Sequence, residues 1–101
     1  MTKFENKETA IEGDDKPFLS YADLVVACSN FIPKDLVREG WSPALQKESF
    51  RLEDAFKEAE TGATLKIEDA DIKLVKKFCS DFPWVMKHRD LVEFDEYVKS
   101  L

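Results

Sequence analysis

Pro33, Gly40, Pro43, Gly62 and Pro83 punctuate this chain at spacings that leave room for one short helix between breaks. Proline lacks the amide that a helix interior needs, and it forces the residue before it out of helical geometry. Glycine tolerates the left-handed backbone in which helices stop. The chain must therefore pack several short helices on one another, and each segment carries the apolar spacing to do so.

The first helix starts near Ser20, whose hydroxyl is placed to cap the first turn, with Asp23 at the capping-box position. Tyr21, Leu24, Val25 and Cys28 share one face, and Asn30 and Pro33 end the helix. One amphipathic turn, Asp35 to Arg38, follows. Ser42 as cap and Pro43 at the first helical position open a second helix. Leu45, Leu52, Phe56 and Ala59 form its stripe, and Gly62 is its expected stop. Asp69 is the expected cap of a third helix, where Ile72, Val75 and Cys79 share a face before Pro83. Asp90 is the expected cap of a fourth, with Leu91, Phe94, Val98 and Leu101 in line.

Thr64 to Ile67 alternates and is rich in β-formers, which predicts a short strand. Pro17-Phe18-Leu19 has the same rhythm ahead of a capped helix. Pairing of these two pieces would give a ladder lying under the helices, because an isolated two-stranded ribbon is marginal in water. The expected fold is mainly α: a small bundle of about four helices with a short two-stranded β element.

At 101 residues the chain is long enough for one domain. Residues 17–101 read as that single small globular domain. Eight Phe, two Trp and two Tyr supply the bulk for its core. Residues 1–16 hold eight charged side chains and only three clearly apolar ones, Phe4, Ala10 and Ile11. They read as a flexible acidic N-terminal tail. The second reading is an arm that docks on a partner through Phe4 and Ile11.

Fifteen Lys and Arg against twenty-one Asp and Glu leave a net charge of −6. That balance opposes a nucleic-acid binder held by general charge, which needs a cationic excess to neutralise phosphates. A single His leaves almost no room for His-based metal or triad chemistry. Gly13, Gly40 and Gly62 are too far apart for a phosphate-cradling loop. Cys28 and Cys79 belong to no C-x-x-C pair and sit among apolar residues, so they read as reduced, buried thiols. The start of the chain has no apolar run of signal-peptide length, and the longest run after it, Leu24 to Cys28, is far too short to span a membrane. A cytoplasmic location is expected.

The charged clusters have structural explanations. Glu68, Asp69 and Asp71 stand where acids offset the positive end of a helix dipole, and too few ligands surround them for a calcium loop. Asp14-Asp15 reads as a turn pair. His88 reads as part of an exposed linker, with no Ser or Cys in activating context beside it. Lys76-Lys77 and Lys87-His88-Arg89 make a small basic patch. No catalytic, metal or cofactor residues are assigned, and no cofactor is expected. Trp41 and Trp84 stand apart: each lies in a connector beside a proline. They either plug the ends of the bundle or serve as exposed anchors, a role in which Trp is enriched. Phe50 and Phe31 lie off the main apolar stripes of their segments and are candidates for a subunit contact.

Ser20-Tyr21-Ala22-Asp23-Leu24, Leu52-Glu53-Asp54-Ala55, the run from Ala63 to Asp71 and Phe82-Pro83-Trp84 together resemble small proteins encoded by tailed bacteriophages and prophages. The resemblance spans residues 17–98. Its most specific stretch is Thr64 to Asp71, followed by a lysine-bearing helix and Pro83-Trp84. It implies a setting, the host cytoplasm or particle assembly, and transfers no functional residue. The expected function is a non-catalytic protein-interaction module, a regulator, inhibitor or adaptor, with Trp41, Trp84, Phe4, Ile11 and Phe50 as partner-binding candidates. The alternative is an assembly factor of the phage particle working as a homo-oligomer. The expected partner is a protein or a second copy, with neither membrane nor nucleic acid.

Overall fold

The computed structural model describes residues 1–13 and 17–101. Three strands come first: β1 (Thr2–Glu5), β2 (Glu8–Glu12) and β3 (Pro17–Ser20). They are followed by α1 (Tyr21–Ser29), a 3-10 turn (Lys34–Leu36), α2 (Pro43–Phe56), β4 (Thr64–Ile67), α3 (Asp69–Cys79) and α4 (Arg89–Ser100). Among the described residues β1 pairs antiparallel with β4, placing Phe4 opposite Leu65, and β2 pairs antiparallel with β3, placing Ile11 opposite Phe18. The fold is α+β, four helices with two small two-stranded sheets, which corrects the expected mainly helical bundle.

The correction has a local cause. Between residues 2 and 12 the buried side chains are Phe4, Asn6, Thr9 and Ile11, while Lys3, Glu5, Glu8 and Glu12 face solvent. The charge density expected of a tail is the outer face of two strands, whose side chains alternate with a period of two. Phe4 and Ile11 are fully buried in the chain's own core, so the docking arm is corrected as well. Residues 14–16, which close the expected tail and include the Asp14-Asp15 pair, lie outside the described residues. The expected ladder between Pro17-Phe18-Leu19 and Leu65-Lys66-Ile67 does not form, because each piece pairs with an N-terminal strand instead.

Asn6, in the turn between β1 and β2, ties the sheets to the helices. Its backbone amide donates to Ala63 (2.9 Å) and its carbonyl accepts from Gly62 (2.7 Å). Its Nδ2 donates to the Glu60 carbonyl (2.8 Å), and its Oδ1 accepts from the Ala22 amide at the start of α1 (2.7 Å). The Tyr21 amide donates to the Lys7 carbonyl (2.9 Å). The first free amides of α1 are thus satisfied from the β1–β2 turn. Ser20 holds the extended N-cap backbone, but its side chain makes no cap bond. Asp23 does reach back, accepting from the Leu19 amide (2.8 Å).

The remaining termini follow the sequence in part. Ser42 Oγ accepts from the Leu45 amide (3.1 Å), with Pro43 first in α2. The helix ends at Phe56, ahead of Gly62, whose left-handed backbone (φ 85°) belongs instead to the loop that meets Asn6. The cap of α3 is Glu68 rather than Asp69. At α4 the cap is His88, whose Nδ1 accepts from the Asp90 amide (3.0 Å), which corrects the exposed-linker reading. Asp90 is freed to accept from the Ala10 amide of β2 (3.0 Å).

Phe4, Leu24, Leu52, Phe56, Val75 and Phe94 lie at the centre of the core. The Phe4 ring stands edge-on to Phe56 (5.0 Å between centroids) and to Tyr97 (5.5 Å), joining β1 to α2 and α4. No described helix is long and apolar enough to cross a membrane.

Candidate functional site

The site begins where α3 stops. Ser80 leaves helical geometry, and Asp81 takes a left-handed backbone (φ 59°), which Asp adopts more readily than most residues. The turn reverses the chain, and Pro83 keeps the next residues out of helix. The connector Phe82-Pro83-Trp84-Val85-Met86 is therefore non-helical, and it lines one cleft with Ala27 and Asn30 at the end of α1. The chain from Phe31 to Trp41, in which Pro33 precedes the 3-10 turn, supplies further lining residues. Between the two segments lies a cleft of about 870 Å³.

Its wall is a ladder of aromatic rings. Phe31 meets Phe82 (5.6 Å between centroids), Phe82 meets Trp84 (4.7 Å), and Trp84 meets Phe18 of β3 (6.0 Å). All three contacts are edge-to-face, the geometry that aromatic quadrupoles favour. Trp41 lines the same cleft. Phe31 is 59% exposed and Val85 83%, so the cleft continues outward as an apolar rim.

Lys34, Lys77 and Asp81 are the charged residues along the described lining. Lys77 Nζ is bound to Glu48 (2.6 Å), and Asp81 faces Lys99 (3.6 Å). Lys34 has no ion-pair partner among the described residues. The described lining thus offers apolar surface, ring edges and faces, and one lysine, Lys34, without an ion-pair partner among the described residues.

The structure brings Trp41 and Trp84 together on this cleft, both partly buried against the core. Phe50, 61% exposed, lies beside a shallower depression of about 340 Å³ that shares Trp41 and Asn30 with it. Phe4 and Ile11 are remote from solvent and take no part. Phe18, Phe82 and Met86 line the cleft and were not singled out as partner residues. The signal for the connector is its five-residue apolar run, more than a helix-to-helix turn needs.

Several other polar side chains have partners within the chain. The Arg51 guanidinium bonds both Asp71 and Glu68 (3.1 Å to Glu68), clamping α2 to the start of α3. Lys76 donates to the Leu101 carbonyl. Cys28 and Cys79 are free thiols buried in the core. Burial pushes the Cys28 thiol well above its usual range, and Cys79 beside it adds to the shift. Among the described residues no group of three or more His, Cys, Asp or Glu is placed to hold a metal ion.

No protein-family model matches the chain, and comparison with curated proteins and with solved structures gives no match.

Proposed function

We propose that this protein is a non-catalytic interaction module of the phage and prophage type, acting in the host cytoplasm as a regulator, inhibitor or adaptor of a host or phage protein. The observation that carries the reading is the convergence of Trp41, Trp84 and the half-exposed Phe31 on one apolar cleft. Large aromatic side chains in a concave, water-excluding setting are the usual anchors of protein interfaces. An exposed apolar rim beside such a cleft marks a place where a partner sits. The proposed occupant is a protein segment that inserts apolar side chains between the Phe31–Trp41 segment and the connector.

The test is capture of partners from bacterial lysate by the tagged chain and by Val85→Asp, with and without nuclease. Val85 is 83% exposed, so a charge there disturbs the rim and not the core. One partner recovered at near-stoichiometric level despite nuclease, and lost with Val85→Asp, supports the reading. Equal recovery by both proteins removes the cleft from it. A second reading, a homo-oligomeric assembly factor, is favoured by the exposed Phe50 beside Trp41. A discrete multimer of the pure protein, dissolved by Phe50→Asp, would establish that reading in place of the first.

A further inference from the structure

We infer that the cleft is also a site for a small anionic amphiphile, a ligand with an apolar body and a single carboxylate-type head. The body is argued from the walls. A cleft of about 870 Å³ falls within the range of small-ligand sites, which are concave, mainly apolar and aromatic, and carry few polar groups. The walls are built before any ligand arrives: the rings from Phe31 through Phe82 and Trp84 to Phe18 hold one another edge-to-face. A pre-formed wall spares a ligand the cost of ordering it.

The head is argued from charge. The chain carries a net charge of −6, yet the described lining of the cleft, with Lys34 and Lys77 against Asp81, does not share that sign. Glu48 answers Lys77, and Lys99, shared with Asp95 (2.9 Å), faces Asp81 (3.6 Å), which leaves Lys34 as the lining charge without a described partner. An anionic head resting at the Lys34 side gains a charge-assisted contact while the apolar body lies along the rings. A cationic head of the same length meets Lys34 as a like charge. The inference needs the cleft but no protein partner, so it can fail while the interaction reading stands.

The experiment titrates the full chain with decanoate, decyltrimethylammonium and 1-decanol, each below its aggregation concentration. Tryptophan fluorescence and the amide resonances of Phe31, Lys34, Trp84 and Val85 report binding. Saturable decanoate binding with shifts confined to the cleft is expected. Lys34→Glu should weaken decanoate by about fivefold, the upper end for one exposed ion pair, and should strengthen the cationic probe. Phe31→Ala should weaken all three probes together. Absence of saturable shifts, shifts spread through the core, or equal affinity for the three head groups in both the parent protein and Lys34→Glu would overturn the inference. Lysate capture that persists without decanoate binding would sink this inference alone.

Discussion

The side-chain carbonyl of Asn6 stands 2.7 Å from the Ala22 amide, so a residue sixteen positions upstream supplies the cap that α1 lacks locally. Ala22 is buried, and its amide has no water to turn to. Asn6→Ala is therefore expected to cost about 1–3 kcal/mol, the usual penalty for orphaning a buried donor. Ser20→Ala, which removes a side chain that makes no cap bond, should cost clearly less. Urea unfolding of the two variants checks the order. The reverse order would return the cap to Ser20.

Which parts of this arrangement were legible in the sequence is clear from particular residues. Ser42-Pro43 announces α2 because its cap and its first helical residue are neighbours, and all the chemistry is local. Thr64–Ile67 is a strand as its alternation predicts. Asn6 is silent in the sequence, since its four backbone and side-chain partners lie between sixteen and fifty-seven positions away. Strands β1 and β2 are hidden for a related reason: only Phe4, Asn6, Thr9 and Ile11 face inward, and two of these are polar. At the cleft, Trp41 and Trp84 were legible as unusual connector residues. Their sharing of one cleft was not, because it depends on the left-handed turn at Asp81 and on the strand that places Phe18 beside Trp84.

The core makes a second test. Phe4 is fully buried against Phe56 and Tyr97. Phe4→Ala should cost about 3–5 kcal/mol, and Leu52→Ala about 2–5 kcal/mol. Thermal or urea melts read both. A mobile N-terminal tail would leave the Phe4 variant as stable as the parent.

Alkaline pH should weaken the fold. Burial raises the Cys28 thiol well above its ordinary value of 9.0, and burial followed by Glu93 and Asp90 raises the Tyr21 hydroxyl from 10.0. In the unfolded chain each group loses its proton near its ordinary value, while the native chain still holds it. Their contribution is complete below pH 9 and is lost as pH rises from there through the raised native values. Urea midpoints measured from pH 8 to pH 11 should fall steadily above 9. Cys28→Ala should flatten the first part of that fall. In the same spirit, Ellman's reagent at pH 8 should modify both thiols slowly unless urea is present.

The cleft residues should divide by what they touch. Phe31→Ala and Val85→Asp alter exposed side chains and should leave stability within about 0.5 kcal/mol of the parent. Trp84 is packed between Phe18 and Phe82, so Trp84→Ala should cost about 1–2 kcal/mol through lost apolar contact. Differential scanning calorimetry separates the two groups. A large loss from Phe31→Ala would mean that its ring supports the fold and is not free for a ligand.

The pairing of β1 with β4 also has a bearing on how the protein is made. Thr2 lies opposite Ile67, and the Glu5 amide is held by the Tyr97 hydroxyl (2.8 Å). A ribosome working at roughly 5–20 residues per second spends on the order of 5–20 s between adding Phe4 and adding Tyr97. For that interval a segment destined for the centre of the core has neither its strand partner nor its ring neighbours. Its high density of Lys and Glu then takes on a second value, since it keeps the waiting strand hydrated and away from other nascent chains until β4 and α4 emerge to receive it.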